Sequence, residues 1–139
     1  MASWKRICCP VDFSEPSRTA LSLAADLGRL LGAELLLLHV EGAEKVAAEI
    51  TPMGSAETQL AIWKEQAQRS GASRVSVFRT RGQPEVAICE FAKKNAADLI
   101  VMGTHGRVDR ERMLIGSVAE GVVRKADCPV LTVHPGWKG

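Results

Sequence analysis

Four consecutive leucines constrain this chain more than any other feature of its sequence. They form the centre of the run AELLLLHV at residues 33–40, which has the length of a β-strand and no polar face. A strand without a polar face is typical of the interior of a parallel sheet, because helices cover such a sheet on both sides. The run therefore predicts a layered α/β domain in which further strands alternate with helices.

Four other short apolar runs fit strands of the same sheet. They are KRICCPV, RVSVFRT, DLIVM and CPVLTVH, and longer segments separate them. The alternation of apolar and polar residues in RVSVFRT indicates a strand nearer an edge. Strands that alternate with helices through short links form parallel sheets with right-handed crossovers. The sequence predicts one doubly wound α/β domain over residues 1–139, with a five-stranded parallel sheet and helices on both faces.

Capping residues mark the first predicted helix. Ser14 can cap its N-terminus, Pro16 suits its first turn, and Gly32 suits the left-handed position after its end. Residues three or four apart form its apolar stripe, which consists of Ala20, Leu23, Ala24, Leu27, Leu30 and Leu31.

Three further helices are predicted between the later strands. The second runs from about residue 55 to 70 and turns Leu60, Trp63 and Ala67 inward. The third begins near Pro84 and turns Ile88, Phe91 and Ala92 inward, and the fourth runs from about residue 116 to 125. Residues 41–54 have weak periodicity and are predicted to form a variable connection.

Composition and charge exclude several functional classes. Hydrophobic residues make up 46% of the chain and charged residues 24%, as in soluble globular proteins, and the net charge of +2 is too small to imply a polyanionic partner. No segment approaches the roughly 20 apolar residues of a membrane span, and MASWKRICCP has no apolar stretch of signal-peptide length. We therefore expect a cytoplasmic protein with no nucleic-acid partner and no membrane partner.

The four cysteines do not predict a metal site or a redox centre. Cys8, Cys9, Cys89 and Cys128 include no CxxC pair, and adjacent Cys8 and Cys9 would point to opposite faces of a strand. Buried reduced thiols are the simpler interpretation, because free cysteine packs as a small hydrophobe.

The fold class predicts where a ligand would bind. In doubly wound sheets, ligands lie beyond the carboxyl ends of the strands, at the point where the strand order reverses. Asp12 follows the first strand, and Gly103 follows the fourth. These two positions are where we expect a site.

A glycine-rich stretch follows the fourth strand. Gly103, Gly106, Gly116 and Ser117 have the spacing GxxG, nine residues, then GS. Glycine permits positive φ and lets backbone amides approach a ligand, and the last two residues open a helix whose positive end favours an anion such as phosphate. The alternative is that these glycines only break the structure between strand and helix. The Walker motif and the dinucleotide fingerprint are both excluded, because GK[ST] is missing and the first turn reads DFSEP.

Two other residues of this stretch are candidates for a site. Arg107 is closest to the glycine turn and is predicted to contact phosphate, whereas the later arginines alternate with acidic residues that weaken their field. His105 is predicted to be a solvated loop residue and not a general acid or base, because no carboxylate or nucleophile is evident beside it.

The sequence closely resembles the universal stress protein family, specifically its ATP-binding branch. The resemblance rests on ICCPVDFSEPSRTAL, the strand ending HV, the glycine pattern after MG, and GSVAEGVVRKADCPVLTV. It covers nearly the whole chain apart from residues 41–54, and it implies an adenine nucleotide alpha hydrolase-like fold with strand order 3-2-1-4-5. The complete glycine pattern is its most specific element, since in this family it marks the members that bind ATP.

The resemblance also implies a set of ATP-binding residues. Those assigned to the phosphates and ribose, or flanking them, are Met102, Gly103, Gly106, Gly116, Ser117 and Val118. Pro10, Val11 and Asp12 would line the opposite wall, and Val40 would meet adenine through backbone groups. Asp12 can accept from ribose hydroxyls or hold a magnesium ion, and capping of the first helix is its alternative role.

These features predict an ATP-binding regulatory domain of the stress response. Phosphoryl transfer needs a positioned nucleophile or water as well as metal ligands and charge clamps, and the sequence offers candidates only for the last two. At most, slow ATP hydrolysis is expected. Two alternatives stay open, namely a nucleotide-free scaffold that acts through protein contacts and a slow ATPase on the same fold.

The last strand supports a homodimer. PVLTV is apolar on both faces and comes last in the chain, and an edge strand has unpaired backbone groups that invite a partner strand. Members of the resembled family often dimerise through this strand.

Overall fold

A computed structural model describes residues 3–42, 55–105 and 115–137. Five parallel strands form one sheet in the order β3-β2-β1-β4-β5, as predicted. The strands are β1 (Arg6–Pro10), β2 (Glu34–Glu41), β3 (Val75–Arg81), β4 (Leu99–Gly103) and β5 (Val130–Val133). The helices are α1 (Glu15–Leu31), α2 (Ala56–Arg69), α3 (Pro84–Lys94) and α4 (Ser117–Lys125). Most of the connection predicted at 41–54 lies outside the described residues.

The four leucines occupy the interior of the sheet. All four are buried in β2, which pairs with β1 on one side and β3 on the other. On the β1 side Leu35 lies opposite Ile7, and on the β3 side it lies opposite Val75. The prediction of an interior strand covered on both faces is confirmed, and β3 is an edge strand as its alternation indicated.

Adjacent cysteines divide between the two faces of the sheet. Cys9 packs on the α1 and α2 side with Leu37 and Trp63, whereas Cys8 packs on the α3 and α4 side with Leu38 and Ile88. Burial raises the pKa of the Cys9 thiol to about 12 and raises that of Cys8 as well. Both side chains are therefore neutral core residues at physiological pH.

Side chains cap the first two helices at their N-termini. The Ser14 Oγ accepts from the Ser17 N–H at the start of α1, and the Ser55 Oγ accepts from the Thr58 N–H at the start of α2. Gly32 ends α1 with φ 65°, the left-handed conformation expected at this position. The predicted boundaries of α1 and α2 are confirmed to within a residue.

The predicted apolar stripe of α1 is wrong at its C-terminal end. Leu30 is 69% exposed and Leu31 is 46% exposed. In this last turn the buried position belongs to Gly28, whose carbonyl accepts from the Ala33 N–H as the chain enters β2. The buried stripe of α1 follows Ala24, Ala25 and Gly28, and with 3.6 residues per turn Leu30 lies about 200° around the helix from Gly28, away from the core. Leu31 is the last residue of α1, directly before the chain turns at Gly32.

Candidate functional site

A cavity of about 410 Å³ opens at the carboxyl ends of β1, β2 and β4, and α3 and α4 complete its wall. The residues predicted from the sequence that line it are Pro10, Val11, Asp12, Val40, Met102, Gly103, Ser117 and Val118. Its volume is within the range of about 300 to 1,000 Å³ that is usual for small-molecule sites. The fold thus brings together residues that are up to 108 positions apart in the sequence.

Three residues of the predicted site are not among the described residues that line the cavity. Gly116 does not line the cavity but occupies the N-cap position of α4, directly beside the lining residue Ser117. Gly106 and Arg107 lie outside the described residues.

Six further residues line the cavity without having been predicted: Ser17, Pro84, Ile88, Thr104, His105 and Ala119. Ser17 and Ile88 belong to helices whose approach to this edge depends on how they pack across the sheet. No local pattern indicates that approach. Thr104 and His105 are different, because their position directly after Gly103 could have suggested them.

The turn between β1 and α1 holds the Asp12 carboxylate. Asp12 Oδ1 accepts from the Ser14 N–H at 3.0 Å and from the Ser14 hydroxyl. The Asp12 N–H in turn donates to the Ser17 Oγ at 3.3 Å, and the Ser17 Oγ donates to the Ser14 carbonyl at 3.1 Å. Ser14, and not Asp12, is therefore the residue that caps α1. Asp12 is fixed within the turn while it also lines the cavity.

Hydrogen bonds on the opposite side tie α4 to the sheet. The Thr104 N–H donates to the Val133 carbonyl at 2.9 Å, and the Thr104 carbonyl accepts from the Gly116 N–H. The Thr104 Oγ1 also contacts the His105 Nδ1 at 3.0 Å. His105 lies outside the helices and strands as predicted, but it is half-buried and lines the cavity, so it is less solvated than predicted. The contact of the Thr104 hydroxyl with His105, and the backbone hydrogen bond from Thr104 to Val133 in β5, hold His105 against the cavity.

The conformations of Gly103 and Gly116 correct one expectation. Neither is among the residues with positive φ, and Gly116 is extended with φ −72°. A Cβ on Gly103 would lie 2.9 Å from the Pro16 Cβ and 3.1 Å from the Pro16 carbonyl carbon. Gly103 is therefore required by the close approach of β4 to the first turn of α1, and not by an unusual backbone conformation.

The cavity has an apolar part and a polar part. Val40, Ile88 and Met102 form apolar wall that could bury a flat ring, while Asp12 and Ser117 supply oxygens. Gly116 has no side chain with which to cap α4, so the positive end of the nine-residue helix is not covered by its own cap. The arrangement can take a ligand with an apolar ring at one end and an anionic group at the other.

The described residues contain neither a cluster of metal-ligating side chains nor a helix that could cross a membrane. Across residues 3–42, 55–105 and 115–137, no group of three or more His, Cys, Asp or Glu side chains is arranged to hold a metal ion. Within the same residues, no helix combines the length and the hydropathy that crossing a membrane requires.

Known proteins share both the sequence pattern and the fold. Residues 3–134 match the sequence model of the universal stress protein family. In an alignment of 141 positions the chain is 35% identical to universal stress protein MJ0531 of Methanocaldococcus jannaschii, and the alignment covers 94% of this chain and 82% of that protein.

Solved structures of universal stress proteins and their relatives share the fold of this chain. The structure of MJ0577 from the same organism has a TM-score of 0.85 at 28% identity, covering 99% of this chain and all of that one. The universal stress protein of Archaeoglobus fulgidus in complex with dAMP has a TM-score of 0.72 at 26% identity, covering 94% and 98%.

Proposed function

Because this chain belongs to the universal stress protein family, we propose that it is an ATP-binding member whose cavity holds the nucleotide. Bound ATP changes the shape or the partner affinity of the domain, and this change is its regulatory output. The observation that carries the proposal is one cavity in which an apolar wall faces the uncapped start of α4.

The apolar wall suits adenine. Val40, the penultimate residue of β2, lines the cavity together with Ile88 and Met102, and the latter two residues are buried to at least 95%. The polar backbone near Val40 can pair with the edge of the base, while the apolar side chains cover its faces. The dAMP complex of the Archaeoglobus fulgidus relative supports an adenine nucleotide as the ligand class.

The start of α4 suits the phosphates. Ser117 is exposed, lines the cavity and occupies the first position of α4. Its hydroxyl and the first-turn amides can donate to phosphate oxygens, and the helix dipole adds about 0.3 to 1 kcal/mol per charge at an exposed end. Gly106 and Arg107 stay predicted phosphate contacts, and Gly116 acts by leaving the helix end without a capping side chain.

A magnesium ion fits the charge of this site. Among the described lining residues Asp12 is the one that carries a formal charge at neutral pH, and its charge is negative. A carboxylate disfavours bare phosphates, whereas a magnesium ion between them would be attracted to both. Magnesium commonly binds one or two carboxylates together with substrate phosphates. We therefore propose magnesium ATP as the ligand, with Asp12 as the protein group that meets the metal or its waters.

Thermal unfolding of the nucleotide-stripped protein tests this proposal. Magnesium ATP at a hundredfold over its dissociation constant should stabilise the fold by about 2.7 kcal/mol and raise the midpoint by several degrees. GTP should give a much smaller shift, because its base has a different hydrogen-bonding edge. No shift with any nucleotide would leave the protein-contact scaffold as the function.

A pair of serine variants localises the binding. Ser117→Ala should weaken ATP binding about tenfold, as expected for the loss of a hydrogen bond to a charged group. The matched control is Ser73→Ala, because Ser73 is also exposed but lies in the turn before β3, away from the cavity. Equal affinities for the two variants would remove Ser117 from the site.

The homodimer stays a proposal. β5 is an edge strand of the sheet, and its Leu131 is 39% exposed, so it offers both backbone groups and apolar surface to a second copy. Light scattering at micromolar concentration should give twice the chain mass, and a monomer would contradict the proposal. The cytoplasmic location stays a prediction. The expectation that the protein hydrolyses ATP slowly at most also stays a prediction, and incubating the protein with ATP for hours would check it.

A further inference from the structure

Phe13 has an unusual backbone conformation beside the candidate site. Its φ is 66°, in the left-handed region that bulky side chains rarely adopt. It stands between Asp12, which lines the cavity, and Ser14, which caps α1. A residue held in such a conformation needs surrounding contacts that maintain it, and these conformations concentrate at ligand sites.

Aromatic contacts maintain the conformation of Phe13. Its ring lies 4.6 Å from the His39 ring and 5.2 Å from the Trp63 ring, which it meets edge to face at 89°. The Arg18 guanidinium covers Trp63 at 5.0 Å and donates to the Gln66 side chain at 3.2 Å. The Phe13 ring is thus held between β2 and α2, on the face of the sheet opposite α3 and α4.

A second contact holds Val11, the residue that precedes Asp12 in the chain. The Val11 carbonyl is 2.9 Å from the His39 Nδ1, and His39 is buried in β2. The backbone is therefore anchored to the same imidazole through Val11 and through the Phe13 ring. Asp12 lies between these two anchors, while the hydrogen bonds from Ser14 fix its carboxylate.

We propose that Phe13 is a positioning residue for ligand binding, which acts through Asp12. By docking between His39 and Trp63, the Phe13 ring holds the turn so that the Asp12 carboxylate faces the cavity and meets magnesium ATP. The role rests on the proposed function, since it needs a nucleotide whose metal contacts Asp12. Loss of an outer contact of this kind typically weakens metal binding by 10- to 100-fold.

Titration calorimetry of three variants separates positioning from simple stability. Phe13→Gly removes the ring while glycine adopts positive φ without steric strain, and Phe13→Leu keeps apolar bulk without the ring. The control is Phe78→Leu, because Phe78 is also half-buried in an aromatic pair, 4.9 Å from Phe91, yet does not line the cavity. Both Phe13 variants should bind magnesium ATP about tenfold more weakly, and the Phe78 variant should bind as the wild type does, even where its unfolding midpoint falls.

A double-variant cycle tests whether Phe13 acts through Asp12. Asp12→Asn keeps an oxygen that can accept from Ser14 but removes the charge. In that background Phe13→Gly should cause no further loss of affinity, and with ATP in EDTA its effect should be less than about twofold. Wild-type affinity of Phe13→Gly, or an undiminished loss in the Asp12→Asn background, would overturn the positioning role while leaving nucleotide binding intact. A flat wild-type titration would overturn the proposed function together with this role.

Discussion

The helices α1 and α4 begin at the same edge of the sheet, yet their first turns are built differently. In α1, the Ser14 side chain accepts from a first-turn amide and donates to Asp12, so that this end is occupied by the chain itself. In α4, Gly116 provides no side chain, and Ser117, which is exposed, lines the cavity. One helix start is closed for stability, and the other is left available for an anion.

Gly103→Val should have the largest effect, because Gly103 is where β4 meets the first turn of α1. A side chain there would overlap Pro16, and overpacking of this kind costs about 1 to 3 kcal/mol. Urea unfolding should show the loss. Gly42→Val is the matched control, since a Cβ on Gly42 meets nothing within 4 Å. A Gly103→Val protein as stable as the control would mean that the two elements can separate without cost.

Ser14→Ala should destabilise the protein by about 1 kcal/mol, the usual cost of losing a serine cap. It should also weaken magnesium ATP binding, since the Asp12 carboxylate loses the bond from the residue-14 hydroxyl and keeps the one from the residue-14 backbone N–H. Ser55→Ala removes the corresponding cap of α2, where no cavity residue depends on it. It should lower the unfolding midpoint by a similar amount without changing nucleotide affinity. Titration calorimetry of both variants should show weaker magnesium ATP binding for Ser14→Ala alone. Equal affinities of the two variants would contradict this prediction.

Ser117→Asp should separate stability from binding at α4. A carboxylate in the first turn favours the helix dipole and should stabilise the nucleotide-free protein by about 0.3 to 1 kcal/mol. The same charge repels phosphate, so the shift of the unfolding midpoint with ATP should disappear. If this variant keeps the full ATP shift, the phosphates do not lie at the start of α4.

The smallest effect is expected for the ion pair between Glu41 and Arg79, which lies outside the first turns of α1 and α4. The hydrogen bond from Arg79 lowers the pKa of the Glu41 carboxyl below its ordinary value of 4.5. Because the folded-state pKa is the lower one, the pair stabilises the fold above pH 4.5, and this contribution is lost as the pH falls below that value. Arg79→Gln should therefore cost less than about 1 kcal/mol at pH 7, with no change in ATP affinity. The difference from wild type in urea unfolding should shrink as the pH falls below 4.5, and a difference that stays constant at low pH would need another cause.

Much of this fold could be predicted because its signals are local. The leucine run, the Ser14 cap and Gly32 each depend on the physics of a few neighbouring residues, and each is where the sequence placed it. The parallel sheet follows from the alternation of such elements. The positions of Asp12 and Gly103 near the site follow in turn, because ligands of this fold class bind at the carboxyl ends of the strands.

Tertiary structure decided the features that depend on which elements touch. Leu30 satisfies one apolar spacing of the helix but is exposed, because packing buries the neighbouring stripe through Ala24, Ala25 and Gly28. Glycine is required at position 103 because of its contact with Pro16, which lies 87 positions earlier in the chain, and no sequence periodicity indicates that contact. The same holds for Phe13, whose conformation depends on rings from β2 and α2. The sequence by itself determined the elements, their order and the region of the site, since these depend on local propensity and apolar periodicity. Only packing decided which residues close around the cavity, because side chains distant in the chain must first be brought within a few ångströms of each other.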